Sequence, residues 1–188
     1  MDETKEEVML YHASSVSGLG ELEPRISTHD KPYVYAICNK VTAACFGAPK
    51  DDFDLLMDEV DGVPHLYECY QDALKTIYAG KSCSIYTVHE EGFLSGVTGW
   101  DVESVCEHTV PVVQEEQIED LYQYLQNAAS RGACVVHSYS EDASYQSMLR
   151  EEICERIRDF GLSEEAVKKD KRIARFCKKH NKLRGLKE

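Results

Sequence analysis

The amino-acid sequence predicts an α+β fold, strand-rich to about residue 140 and helical beyond it. Two observations lead there. Short β-branched and aromatic runs alternate with turn residues through the first three quarters of the chain, and apolar spacing of three and four takes over from Asp142. The chain of 188 residues has no internal repeat, low-complexity run or obvious linker. The expected organisation is a core over residues 1–140 with a helical extension over 141–188 packed on it.

Val8 to Tyr11 reads as a first strand, ending at His12-Ala13-Ser14-Ser15, and Tyr33 to Ala36, after Pro32, as a second. A histidine at one strand end and a tyrosine on a neighbour are then placed to face each other across a pleat. In NKVTAACFGA, Val41, Ala44 and Cys45 recur at helical spacing before Gly47 and Pro49. Asp61-Gly62 is a hairpin signal between FDLLMDEV and HLYECY. QDALKTIYAG is a short helix closed by Gly80, SCSIYTVH alternates as a strand, and EEGFLSGVTG is a glycine-punctuated loop. WDVESVCEHTVPVV is strand material interrupted near Pro111. EEQIEDLYQYLQNAASRG reads as one helix, with Ile118, Leu121, Tyr122 and Leu125 on its apolar face and Gly132 past its end. ACVVHSYS is a further strand. SYQSMLREEICERIRDFG is a helix stopped by Gly161, and Ser163 with two glutamates behind it starts a last helix over SEEAVKKDKRIARFCKKH.

Hydrophobic content of 43% and charged content of 29% exclude a disordered tail. No apolar run is long enough to span a bilayer, and MDETKEEVML lacks the pattern of a secretory signal, so the expected location is the cytoplasm. The net charge of −13 argues against a general nucleic-acid binder. It is unevenly spread: residues 164–188 hold ten Lys and Arg against four Asp and Glu, a local +6 that leaves −19 on the rest. The eight cysteines contain no CxxC pair and sit mostly in apolar stretches, which argues for reduced core thiols and against a metal site. Gly80-Lys81-Ser82 lacks the upstream glycine of a phosphate-binding loop.

The residues that carry chemistry come early. YHAS, then LEPRISTH, then PYVYA leading into an alanine-rich helix, resembles the ADP-ribosyltransferase-like fold. Within it the chain is most similar to the His-Tyr-Glu branch of poly(ADP-ribose) polymerases and tRNA 2′-phosphotransferases, and to small bacterial proteins that open in this way. LYHAS matches the first motif and VYAICNKVTAACF the second; the third, a glutamate at a strand start, falls in GWDVESVCEHTVPVV. The resemblance runs from about residue 9 to residue 139. It implies a split β-sheet core with C-terminal helices, and a cleft between two sheets that holds NAD as substrate.

Carried across residue by residue, His12 hydrogen-bonds a ribose, with Ala13 and Ser14 beside it, and Tyr35 stacks on the nicotinamide ring. Arg25, Ser27 and His29 lie on the adjoining loop, where the planar donor fork of Arg25 suits a pyrophosphate. The glutamate stabilises the positive charge that develops at the anomeric carbon as nicotinamide leaves. Glu103 and Glu107 compete for that role; Glu103 is favoured because it follows Trp100 at the strand entrance, while Glu107 precedes HTVPVV and shares its face if the strand is continuous. The implied activity is transfer of ADP-ribose from NAD to a macromolecular acceptor or to water. Two alternatives stay open: 2′-phosphotransfer from RNA, and an inactive module of the same fold that binds a nucleotide or a protein.

Overall fold

The computed structural model describes residues 8–27, 31–50 and 53–159. In chain order these form β1 (Met9–Ser14), β2 (Glu21–Leu22), β3 (Arg25–Ile26), β4 (Pro32–Ile37), α1 (Lys40–Ala44), β5 (Leu55–Val60), β6 (Val63–Glu68) and α2 (Ala73–Tyr78). There follow β7 (Cys83–His89), β8 (Leu94–Ser95), β9 (Glu103–Cys106), β10 (Val110–Pro111), β11 (Gln114–Ile118), α3 (Leu121–Ser130), β12 (Val135–His137) and α4 (Ala143–Asp159). The mixed α+β class expected from the sequence is what the chain adopts. The helix expected after Ser163, with its basic face, lies outside the described residues, as does His29. No helix among the described residues is long and apolar enough to cross a membrane.

The chain divides into two compact units, each assembled from two separated stretches: Met1–Pro49 with Tyr78–Cys134, and Lys50–Ile77 with Val135–Glu188. The boundary expected at residue 140 falls inside the second of these.

The first unit is built on a sheet of order β11-β7-β1-β4-β9-β8, with β3 paired to β4. β7 holds β1 along its whole length, from Met9↔His89 to Ser14↔Ser84, so β1 continues past Tyr11 and His12 lies within it rather than at its end. On the other side β1 meets β4 at a single register pair, Tyr11↔Ile37, although both strands have six residues. The sheet is therefore parted between β1 and β4 from His12 onward.

Side chains alternate, so each face of this sheet has its own core. Leu10, Val34, Ala36, Tyr86, Val88 and Cys106 cover one face and pack with Leu22 and Val110 of the small β2–β10 ribbon. Against the other face lies α1, whose N-cap Asn39 accepts from the Val41 and Thr42 N–H groups. Its C-terminal end is pinned by the buried Tyr78 hydroxyl, which donates to the Cys45 carbonyl at 2.7 Å. The segment expected to begin a helix at Glu115 is instead strand β11, paired to β7 from Gln114↔Thr87 to Ile118↔Cys83. The helix starts only where Asp120 caps it, accepting from Gln123 N–H (3.0 Å) and from Gly80 N–H (2.9 Å). Pairing to β7 supplies hydrogen bonds that helical spacing of Ile118 with Leu121 could not anticipate.

The second unit is a three-stranded sheet of order β12-β6-β5, with β5 and β6 joined by the Asp61-Gly62 turn, both residues at positive φ (52° and 77°) as a tight hairpin requires. β12 runs parallel to β6. Leu149 and Ile153 of α4 pack with Phe53, Leu56 and Cys69. The buried Glu68 carboxylate ties this unit together, accepting from Leu74 N–H (2.8 Å) and Tyr139 N–H (3.2 Å). None of the seven described cysteines is in a disulfide, and Cys45, Cys69, Cys83, Cys106 and Cys134 are buried.

Two substitutions test this packing. A β-carbon at Gly47 lies 2.7 Å from the Cys83 β-carbon, so Gly47→Ala is expected to destabilise the fold by about 1–3 kcal/mol in urea denaturation, the cost of overpacking. Glu68→Ala strands two N–H groups and is expected to cost about 2 kcal/mol or more by the same measurement.

Candidate functional site

Two adjoining cavities open on the first unit and share His12, Ser27 and Tyr35 in their walls. The larger, of about 610 Å³, is lined by the parted end of the sheet, by the loop through Gly18, Leu19 and Gly20, and by Glu21 to Glu23 and Arg25 to Ser27. The smaller, of about 270 Å³, is lined by Tyr11, His12, Ala13, Tyr35, Ile37 and Glu103, with Ala43 and Phe46 from the side of α1.

Their arrangement follows from strand register. Tyr11 sits opposite Ile37, and Ile37 opposite Glu103, so these three share one face with Ala13 and Tyr35. That is the face of the smaller cavity. His12 and Ser14 alternate onto the other face, with Val34, and line the larger one. His12 and Tyr35 thus do not meet ring to ring across a pleat. The contact is between the His12 ring and the main chain of Tyr35: Nδ1 lies 2.7 Å from the Tyr35 carbonyl oxygen, in the gap where β1 and β4 part.

A carbonyl oxygen only accepts, so Nδ1 carries the proton and donates. Burial holds the imidazole below its ordinary pKa of 6.5, opposed by the bond to Tyr35 and aided by the charge of Arg25. The ring is neutral at pH 7 as a result, and Nε2 is left as an acceptor.

Glu103 opens β9, its N–H donating to the Trp100 carbonyl at 3.1 Å, and its residue lines the smaller cavity. The adjacent Ser104 is held by Ser95 across the β8–β9 pair, with 2.9 Å between the hydroxyl oxygens. Glu107 lies beyond the end of β9, exposed, 3.9 Å from Lys31. The strand is not continuous through both glutamates, and only Glu103 joins His12 and Tyr35 at a cavity. Arg25 on β3 lines the larger cavity with Ser14 and Ser27. Sequence reasoning passed over Tyr11, Phe46, Glu21, Glu23 and the Gly18–Gly20 loop, all of which form walls here. The glycines of that loop were the one available signal. Among the described residues, no group of three or more His, Cys, Asp or Glu converges as a metal site.

Compared with family models, with curated proteins and with solved structures, the chain matches none.

The His12 environment has a measurable consequence. Its folded pKa lies below the unfolded 6.5, so the unfolded chain takes up a proton first and stability falls as pH drops through that value. His137 in the second unit, lowered by burial and by His65, adds to the same slope. Denaturation curves between about pH 7.5 and about pH 5.5 should show this loss, with His12→Gln and His137→Gln each removing part of it. A parent protein equally stable across the range contradicts the assignment.

Proposed function

We propose that the chain binds NAD across the two cavities and cleaves its nicotinamide–ribose bond, passing ADP-ribose to a macromolecular acceptor or to water, as the resemblance to ADP-ribosyltransferases implies. One observation carries the reading. His12, Tyr35 and Glu103 stand on three successive strands of one sheet, β1, β4 and β9, and line a single cavity. Three side chains far apart in sequence, matching the three motifs of that branch, come together at a parted sheet.

In this reading the nicotinamide ribose occupies the smaller cavity and the adenosine half the larger. Tyr35 offers its ring to the nicotinamide. His12, at the junction, accepts a ribose hydroxyl at Nε2, because Nδ1 is committed to the Tyr35 carbonyl. The Glu103 carboxylate accepts from the 2′-hydroxyl of the nicotinamide ribose. As the glycosidic bond breaks, its electron pair leaves with nicotinamide and positive charge develops at the anomeric carbon. A carboxylate on that side stabilises the transition state more than the ground state. Arg25, on the wall of the larger cavity, supplies donors for the pyrophosphate. The larger cavity also carries Glu21 and Glu23, with Arg25 the one Lys or Arg among the described residues of its walls, which disfavours an RNA acceptor and the 2′-phosphotransfer alternative.

The test is release of nicotinamide from NAD. Glu103→Gln keeps the shape and loses the anion, so NAD affinity should hold while turnover falls about a hundredfold, the scale of one dominant transition-state contact. Glu107→Gln is expected to change little. NAD should raise the melting temperature of the parent, and His12→Ala should remove most of that shift. If the parent releases no nicotinamide and gains no thermal stability from millimolar NAD, the reading fails; a module that binds without cleaving shows the shift alone.

A further inference from the structure

Gly18, Leu19 and Gly20 in the wall of the larger cavity belong to a loop with no regular secondary structure, Ser15 to Gly20, and that loop is held by residues that are not in the wall. Glu115 lies on β11, two strands away from β1. Register places Glu115 opposite Tyr86, and Tyr86 opposite His12, so the three form a row on one face of the sheet. From the end of that row the Glu115 carboxylate reaches over to the loop, and the Gly18 N–H lies 3.0 and 3.2 Å from its two oxygens. Ser84 Oγ donates to the same carboxylate at 2.6 Å, and Gln117 lies 3.5 Å away.

Tyr86 completes the attachment. Its ring is fully buried in the core of that face, while its hydroxyl donates to the Val16 carbonyl at 2.7 Å and accepts from the Leu19 N–H at 3.2 Å. The same hydroxyl is 3.3 Å from Glu115. Gly20 is tied in turn, its carbonyl accepting from Val112 N–H at 3.0 Å. One main-chain group each of Val16, Gly18, Leu19 and Gly20 is therefore hydrogen-bonded to a partner outside the loop. Gly18 adopts φ +75°, a conformation that costs a side-chain-bearing residue strain but leaves its N–H aimed at Glu115.

We propose that Glu115 and Tyr86 are positioning residues that hold the Ser15–Gly20 loop as a preformed wall of the larger cavity, and thereby set the affinity for the ligand it takes. The identity of that ligand as NAD rests on the function proposed above; the clamp itself does not. A wall already in place spares the ligand the entropic cost of ordering it. The effect belongs to binding and not to bond cleavage, since neither residue lines the cavity that contains Glu103.

The experiment has two arms, using Glu115→Gln and the more conservative Tyr86→Phe in the full chain. Glu115→Gln keeps the side-chain volume but exchanges one acceptor oxygen for a donor; Tyr86→Phe keeps the ring in the core. Amide hydrogen exchange without ligand reads the loop directly. At Gly18 and Leu19 it should quicken by about tenfold or more, the scale of one lost hydrogen bond to a charged or buried group, while Ile85 in the middle of β7 is unchanged. Steady-state nicotinamide release reads the consequence, with KM for NAD raised about tenfold and kcat within about twofold of the parent. Unchanged exchange at both amides overturns the clamp. Faster exchange with an unchanged KM, or a fall in kcat alone, overturns its role in binding. A parent that neither releases nicotinamide nor gains thermal stability from NAD retires the NAD reading instead, and the exchange arm still decides whether Glu115 and Tyr86 hold the loop.

Discussion

The gap between β1 and β4, and the imidazole that bridges it, is the constraint on which the first unit depends. Two six-residue strands that run side by side normally exchange hydrogen bonds along their length, yet these exchange one register pair and then part. The main-chain groups exposed by the parting need other partners. At Tyr35 the carbonyl finds one in His12 Nδ1. The imidazole thus stands in for a missing ladder bond, and in doing so its tautomer is chosen and its second nitrogen is turned into an acceptor.

From that parting the rest of the site follows. Strict alternation along β1 and β4 sends neighbouring residues to opposite faces, so one break in pairing opens onto two cavities at once. The face toward α1 receives Tyr11, Tyr35 and Glu103, and the face toward the β2–β10 ribbon receives His12 and Ser14. Glu21, Glu23 and Arg25, all in the walls of the larger cavity, give it a mixed charge character.

Much of this was legible in the sequence, and for local reasons. The hairpin at Asp61-Gly62, the N-terminal strand and the tyrosine strand each carry their signal within a few residues. His12, Tyr35 and Glu103 were singled out through motif context, and the structure sets all three in the wall of the smaller cavity, with β9 starting at Glu103 and ending before Glu107. What was missed depends on distant partners. Gln114-Glu115-Glu116-Gln117 has no alternation and precedes a helical stripe, so its strand character comes wholly from β7. The extension of β1 through Ser14 has the same origin. The Ser15–Gly20 loop offered only its glycines, because the residues that hold it lie at positions 84, 86 and 115. The interleaving of two units left no trace in composition, since no proline- or glycine-rich linker marks the crossings at 49–50, 77–78 and 134–135.

That interleaving imposes a schedule on synthesis. The β5–β6 hairpin leaves the ribosome early, but the strand that covers the open edge of β6 arrives only at Val135. Meanwhile the chain makes α3 and the remaining strands of the first unit, β7 to β11, so that unit can close before the second is finished. For that interval β6 presents unpaired main-chain groups and the apolar Leu66 and Val63, the kind of edge that recruits a second chain. Nascent chains whose emerged part ends between residues 70 and 134 are therefore the species in which this edge of β6 is open to strand exchange, and the parallel β6–β12 pairing is the step that closes it.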